Sequence, residues 1–175
     1  VYRTTNGGTS WTQRHGAPPN LLDWSTNGSG SGGQAWYDLS IAVSPLDKDV
    51  VLTGGVNVWR SNNGGSSFSL SGHWYGGGGA SFVHADHHWM VFKPGTNAVY
   101  AGCDGGVYKS ASSGMNNSWV SRNIGLSITQ YYKIGTTEAD TTLTIAGAQD
   151  NGTHLNDNGW DKVGGGDGMD CAISA

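Results

Sequence analysis

Short runs of alternating apolar and polar residues recur along the chain, and residues 84–119 show the pattern most clearly. An apolar stretch that ends at Pro94 predicts one strand, and residues 98–102 predict a second. Asp104-Gly105-Gly106 predicts a tight turn because its glycines permit positive φ angles, and residues 107–110 alternate as a third strand should. A fourth strand follows after a Ser/Gly/Asn loop. The segment is therefore predicted to fold as a sheet of four short strands.

This pattern is repeated elsewhere in the chain. Residues 41–68 match it at an offset of about 49 residues, and residues 131–153 match it at about 45. The first residues match only its second half, and the last residues match only its first strand. A repeat of roughly 40–50 residues with four strands is typical of a β-propeller, because one small sheet cannot bury both faces alone. We expect an all-β fold, a β-propeller fragment of four-stranded antiparallel blades.

The repeat also predicts where the blades begin and end. Residues 1–35 are expected to be the end of a blade plus a long loop, residues 36–83, 84–128 and 129–163 three blades, and residues 164–175 the first strand of the next. Propellers close with about four to eight blades. We therefore expect the remaining blades of a longer parent chain as partners. The alternative is closure of a four-bladed ring from these repeats alone.

Composition excludes several classes of function. Charged residues make up only 13% of the chain, and its nine Lys and Arg are scattered within a net charge of -4, which argues against nucleic acid as a partner. No apolar run is long enough for membrane insertion. Cys103 and Cys171 are expected to be buried free thiols. No cofactor is predicted, because the glycine-rich segment 164–168 lacks the strand-then-helix context of a phosphate loop.

One turn sequence occurs three times, as residues 4–11, 61–68 and, in degenerate form, 110–119. It follows the pattern Ser/Thr-x-Asp/Asn-x-Gly-x-Thr/Ser-Trp/Phe, the Asp-box. Short hydroxyl and amide side chains bond nearby backbone groups there, and the last aromatic residue packs under the turn. We interpret these Asp-box turns, between third and fourth strands, as structural.

Two long connections carry aromatic residues. Residues 14–35 form a Pro/Gly/Ser-rich loop with Trp24, and residues 71–82 form a second loop with Trp74 and Tyr75. Aromatic rings in such loops suit stacking on a sugar, and all three are candidate substrate-binding residues. The alternative is a surface loop with tucked rings.

A polar cluster is predicted where the first strand of residues 84–119 begins. Strand alternation points His84, Asp86 and His88 to one side. These residues are candidates for substrate contact, for a hydrogen-bonded plug of the channel, or, more weakly, for a metal site. The spacing leaves the three alternatives open.

Three aspartates next to glycine, Asp104, Asp150 and Asp167, are expected at the same face of the propeller. Each one alone is typical of a turn. Together they would provide the paired carboxylates of glycoside hydrolysis, one protonated as acid and one ionised as base or nucleophile. All three are therefore candidate catalytic residues.

The segments HADHHWMVFKP, YAGCDGGVYKS, GLSITQYYKIG and GAQDNGT resemble the BNR/Asp-box propellers of secreted bacterial proteins, often labelled glycosyl-hydrolase-like, and more distantly xyloglucanases and sortilin. The resemblance implies a secreted or cell-surface protein. Residues 104–109 are similar to a catalytic Asp-x-Gly-Gly-x-Tyr-Arg segment of xyloglucanases, one residue shorter and with Lys for Arg, which makes Asp104 the first candidate. Sialidase activity is disfavoured, because it needs an arginine triad at the mouth and two of the four arginines precede Asp-boxes.

The sequence thus predicts an extracellular carbohydrate-active propeller, whose partner is a polysaccharide or a glycoprotein glycan. One hypothesis is a glycoside hydrolase acting on a β-linked polysaccharide through aspartates at the channel mouth. The alternative is a non-catalytic glycan- or protein-binding adhesion propeller, and a smaller one is an assembly scaffold. A pair of carboxyl groups roughly 5–10 Å apart would favour hydrolysis.

Overall fold

The computed structural model describes residues 1–16, 18–127 and 129–174, and the regular structure of these residues consists of β-strands apart from one short 3-10 turn. The chain divides into two compact units, Val1–Ile124 and the part from Gly125 onward. Each sheet of four or five strands runs in chain order with antiparallel neighbours, except for one short parallel pair. The predicted all-β fold, a fragment of a β-propeller with four-stranded blades, is confirmed.

The first unit contains a two-stranded sheet and two larger sheets. The small sheet pairs β1 (Tyr2–Arg3) with β2 (Thr12–Gln13). The next sheet is formed by β3 (Ser40–Val43), β4 (Val51–Gly54), β5 (Val58–Ser61), β6 (Ser69–His73) and β7 (Ser81–Phe82). Its last pair, β6 and β7, is parallel and is joined through the 3-10 turn Gly77–Gly79. The third sheet is formed by β8 (His87–Phe92), β9 (Val99–Cys103), β10 (Gly106–Ser110) and β11 (Trp119–Ser121).

The second unit contains one four-stranded antiparallel sheet. Its strands are β12 (Lys133–Thr136), β13 (Thr144–Ala148), β14 (Gly152–Asn156) and β15 (Trp160–Gly164). The described residues after Gly164 form no regular strand.

The core of the first unit lies between its two large sheets. Leu52 and Val58 of one sheet and Val99 and Ala101 of the other are fully buried and belong to one apolar cluster. The alternation of side chains across each strand sends one face of β3 into this cluster, since Ser40 and Ala42 are buried while Ile41 and Val43 are exposed. Packing of one blade on the next therefore fixes the ends of β3, β4 and β8, where the candidate site lies.

The three hydroxyl-rich turns share one hydrogen-bond pattern. The first hydroxyl of each turn accepts a bond from the amide four residues later, as Thr4 does from Gly8, Ser61 from Gly65 and Ser110 from Gly114. These bonds satisfy turn amides locally, and they agree with a structural role.

Both cysteines are free and half-buried. Among the described residues, no helix is long and apolar enough to cross a bilayer.

Candidate functional site

The candidate site is built around a single turn that precedes β3. The amide of Tyr37 and the amide of Asp38 both donate to the carbonyl oxygen of Gln34, at 2.7 and 3.1 Å. This turn sends three side chains toward the segment that leads into β8 and toward the turn between β9 and β10. Local backbone bonds therefore hold three functional groups in a fixed relation to one another.

Asp104 lies in the tight turn between β9 and β10, as the sequence predicted. Its Oδ1 accepts a hydrogen bond from Nε2 of His88 at 2.7 Å, and its Oδ2 accepts one from the hydroxyl of Tyr37 at 2.7 Å. The Tyr37 and His88 rings pack edge to face, 5.0 Å apart. Both partners donate to the carboxyl oxygens, so they fix the orientation of this group.

Asp86 is held beside Asp104 in a very different environment. It is 8% exposed, and its φ angle of 66° places it in the left-handed region. Nε2 of Gln34 donates to its Oδ1 at 2.5 Å. Burial, followed by the charges of Asp38 and Asp104 and by a hydrogen bond to Asp38, raises the pKa of Asp86 to about 6. This carboxyl group can therefore carry a proton near neutral pH.

Asp38 is fully buried and shares the Gln34 amide with Asp86, at 3.4 Å from its Oδ2. Burial raises the pKa of Asp38, although hydrogen bonds from Gln34 and from Asp86 oppose the shift. Oδ1 of Asp38 has no hydrogen-bond partner within the described part of the chain. The Gln34 amide thus joins the two carboxyl groups by donating to both of them.

A carboxyl oxygen of Asp86 lies within 4.8 Å of a carboxyl oxygen of Asp104. The site therefore brings together one carboxyl group whose proton affinity is raised and one carboxylate that accepts two hydrogen bonds. This is the division of roles that acid–base chemistry needs.

The predicted alternation of residues 84–88 is wrong. β8 begins only at His87, and the left-handed residue Asp86 precedes it, so the three predicted side chains do not share a face of one extended strand. A register shift between His87 and Trp89 disturbs the pairing with β9 as well. Asp86 and His88 nevertheless both lie close to Asp104.

His87 is the buried histidine of this segment. Its Nδ1 donates to the carbonyl oxygen of Gly55 at 2.7 Å, and its Nε2 has no partner among the described residues. Burial lowers the pKa of His87 to about 4, so its imidazole is neutral at neutral pH. It attaches the site to the turn between β4 and β5.

The candidate metal ligands His84, Asp86 and His88 do not form a group in which all ligand atoms lie within 4.8 Å, as far as the described residues extend. Nδ1 of His84 lies 3.3 Å from the carbonyl oxygen of Ala85, while His88 binds Asp104.

The two other predicted catalytic aspartates lie in the second unit. Asp150 has a φ angle of 59°, and its amide donates to Oδ1 of Asp167 at 2.9 Å. The adjacent amide of Gly168 donates to the carbonyl oxygen of Ala148. The carboxylate of Asp167 thus stabilises the turn that contains Asp150.

The predicted aromatic residues of the two loops come together in the first unit. Nε1 of Trp74 donates to the carbonyl oxygen of Trp24 at 3.3 Å, and the rings of Trp74 and Tyr75 pack edge to face at 4.7 Å. Buried His73 also bonds the Trp24 carbonyl, at 3.2 Å, and its Nδ1 accepts from the Tyr75 amide. The three aromatic rings remain 42–60% exposed, so they form an accessible aromatic surface. β6 extends to His73, and the loop that follows therefore begins at Trp74 rather than at residue 71.

Sequence reasoning missed Gln34, Tyr37 and Asp38, and chose Trp24 in the same long loop. The available signal was the segment of residues 34–38, which places an amide, two aromatic rings and a carboxylate directly before an alternating strand.

Two GH74 enzymes are among the solved structures to which this chain is similar. One is the crystal structure of a Niastella koreensis GH74 enzyme, with 17% identity and a TM-score of 0.44, covering 92% of this chain and 26% of that chain. The other is an ancestral GH74 enzyme, with 19% identity and a TM-score of 0.41, covering 95% of this chain and 21% of that chain. This chain thus spans about a quarter of the length of these enzymes. No family model and no curated protein matches it. The function is therefore inferred from the side chains of the site itself.

Proposed function

We propose that this protein is a carbohydrate-active propeller that hydrolyses a β-linked polysaccharide, with Asp86 as general acid and Asp104 as the ionised partner. The observation that carries the proposal is the pair of carboxyl groups within 4.8 Å of each other, one buried against Asp38 and the other bonded by Tyr37 and His88.

The chemistry follows from the two environments. Asp86, with a pKa of about 6, retains its proton at mildly acidic pH and can transfer it to the glycosidic oxygen of the leaving sugar. The carboxylate of Asp104 then faces the developing positive charge on the sugar ring. Because the closest oxygens are within 4.8 Å, the pair resembles the roughly 5 Å separation of retaining enzymes more than the wider spacing that admits a water. Asp104 is accordingly proposed as nucleophile.

Exposed aromatic side chains of the first unit support a carbohydrate ligand, and one of them lies directly beside a residue of the site. Trp36, 86% exposed, directly precedes Tyr37, which bonds Asp104. Together with Trp24, Trp74 and Tyr75 it offers rings on which sugars stack. The roles of Asp150 and Asp167 remain proposals, with Asp150 as a second candidate carboxylate and Asp167 as the residue that holds its turn.

The alternative is a non-catalytic propeller that binds a glycan or a protein at the same surface. One observation favours it: both oxygens of Asp104 already have side-chain partners, which suits a rigid binding surface. For either function we propose a secreted or cell-surface location, and the remaining blades of a longer chain as partners.

The test is hydrolysis of β-glucans, xyloglucan and chitin, with reducing ends quantified for the wild-type protein and for Asp86→Asn, Asp104→Asn and Asp150→Asn. Loss of a measured activity in the first two variants, with their folding intact, is the expected result. The exposed residue Asp47 supplies the matched control, Asp47→Asn. Retention of the protein on a glycan affinity gel without any hydrolysis would establish the binding alternative instead.

A further inference from the structure

One turn supplies the side chains that bond both carboxyl groups of the site. Gln34 donates to both Asp86 and Asp38, and Tyr37 of the same turn donates to Asp104. The turn is closed by two bonds to the Gln34 carbonyl oxygen, so the backbone positions from which these side chains extend are fixed relative to one another. Their arrangement suggests a role beyond filling space.

Asp38 is an unfavourable residue for stability alone. Its side chain is fully buried, and one of its oxygens has no partner among the residues that the structure describes. A buried carboxylate with an unsatisfied oxygen costs free energy, which an apolar residue of similar size would not. Such groups are retained at functional sites more often than elsewhere.

Asp38 and Asp86 share one hydrogen-bond donor. The Gln34 amide donates to both carboxyl groups, at 2.5 Å to Asp86 and 3.4 Å to Asp38, so the two buried groups lie close together. Two carboxyl groups this close do not both ionise easily, and one of them tends to keep its proton. Asp86 itself is kept in a left-handed conformation that non-glycine residues rarely adopt. The local structure thus holds the Asp86 carboxyl against Asp38.

We propose that Asp38 is a positioning residue that keeps the proton on Asp86 and fixes the orientation of this carboxyl group, with Gln34 opposing it by donating to both carboxylates. The proposal deepens the proposed function, since the proton concerned is the one that Asp86 would donate to a glycosidic oxygen.

Other ionisable groups surround Asp86 and act in both directions. Asp104 of the β9–β10 turn raises its proton affinity, as Asp38 does, whereas His84 of its own segment lowers it. His87 and His88 follow in β8, and Cys103 ends β9. Gln34 and Asp38 act on the Asp86 carboxyl from a turn outside the segments that carry Asp86 and Asp104.

The test measures the titration of Asp86 directly and needs no substrate. In protein labelled with ¹³C at aspartate carboxyl carbons, the Asp86 signal is assigned by its loss in Asp86→Asn and is followed by NMR from pH 3 to pH 8. Asp38→Asn is expected to lower the Asp86 titration midpoint by roughly one to two pH units. Gln34→Met removes an amide donor to both carboxylates and is expected to raise it.

The control Asp47→Asn changes an exposed carboxylate of the same unit and should leave the midpoint unchanged. Opposite shifts in the two variants support the proposal, because a purely structural role of the turn would shift both in the same direction or neither. An unchanged midpoint in a folded Asp38→Asn variant overturns it. If that variant does not fold, Gln34→Met decides, and a midpoint that is unchanged or lowered overturns the proposal.

The same experiment separates this inference from the proposed function. If no glycan is hydrolysed, the NMR shifts still show whether Asp38 holds the proton. If hydrolysis occurs and Asp38 keeps the proton on Asp86, Asp38→Asn shifts the alkaline limb of the pH profile of kcat/KM by the same amount as the Asp86 titration midpoint. Hydrolysis with no NMR shift would remove only the role of Asp38.

Discussion

Two buried aspartates of the same long loop region show how differently one side chain can be used. Asp23 is 1% exposed, and its carboxylate accepts bonds from the Trp24 amide, the Gly30 amide and the Ser25 hydroxyl. Burial alone would raise the pKa of Asp23, but these bonds together lower it. Asp38 is equally buried, and one of its oxygens has no partner among the described residues. A satisfied carboxylate stabilises a loop, whereas a partly satisfied one holds a proton on its neighbour.

The largest expected effect concerns activity. Asp86→Asn replaces the proposed acid by a group that cannot donate the same proton, and should lower kcat by about 10²- to 10⁴-fold. Asp23→Asn, in the matched loop carboxylate, should leave kcat unchanged in the folded protein. A comparable loss of kcat in both variants, measured by reducing-end release, would remove the distinction between the two aspartates.

The second effect concerns stability, for which substitution of Asp23 should matter more than substitution of Asp38. Asp23→Ala removes an acceptor of three hydrogen bonds and leaves the Gly30 amide unpaired, so the free energy of unfolding should fall by about 2–4 kcal/mol. Asp38→Asn, in contrast, removes a buried negative charge and should change that free energy by less than about 1 kcal/mol. Urea unfolding followed by tryptophan fluorescence measures the free energy of unfolding of both variants. A larger loss of stability in Asp38→Asn than in Asp23→Ala would contradict the different roles given to the two aspartates.

The pH dependence of stability should contain two opposed contributions. The folded pKa of Asp86, about 6, lies above its ordinary value of 3.8, so its contribution is fully present below pH 3.8 and is lost as the pH rises through 6. The folded pKa of His87, about 4, lies below 6.5, so its contribution is fully present above pH 6.5 and is lost as the pH falls through 4. Each difference of roughly 2 units corresponds to about 3 kcal/mol at most.

Single substitutions separate these contributions. Asp86→Asn should make unfolding at pH 4 easier relative to pH 7 than in the wild type, because the contribution of Asp86 at low pH is lost while that of His87 at high pH remains. His87→Gln should have the opposite effect. Unfolding free energies from urea titrations at both pH values provide the measurement. If the free energy of unfolding changed with pH in the same way in the wild type and in both variants, the pKa shifts of Asp86 and His87 would be refuted.

The smallest effect concerns the aromatic surface. Trp24→Ala should weaken glycan binding by about 1 kcal/mol, or roughly fivefold in Kd. Trp11, 60% exposed in one of the hydroxyl-rich turns, supplies the control Trp11→Ala, for which no change in Kd is expected. Calorimetric titration with an oligosaccharide distinguishes the two, and equal weakening in both would show that neither ring marks a specific site.

The sequence could predict those parts of the molecule that depend on local signals. The repeat revealed the blades, and the dipeptide Asp104-Gly105 marked the turn where one carboxylate lies, because glycine permits the required backbone angles. Gln34 and Tyr37 gave no such signal, because their loop has no periodicity. Their role appears only through contacts with residues 52 and 67 positions away, Gln34 with Asp86 and Tyr37 with Asp104.

In residues 84–88 a local signal was present, but it was misleading. The residues alternate as in a strand, whereas Asp86 has a φ angle of 66°, which breaks the extended backbone just before β8. Sequence patterns locate strands well but their first residues poorly, and the candidate site of this protein lies just before and at the first residues of β8.

The thiol beside the site has a practical use that does not depend on any substrate. Burial, with added contributions from the nearby Asp104 and Asp86 charges, raises the pKa of Cys103 to about 12, so only about one molecule in 10⁵ carries the thiolate at neutral pH. Alkylating reagents such as iodoacetamide should therefore modify the folded protein slowly at this position. The modification rate of Cys103 therefore reports how often the β9–β10 turn opens locally. A glycan that binds over this turn should lower that rate.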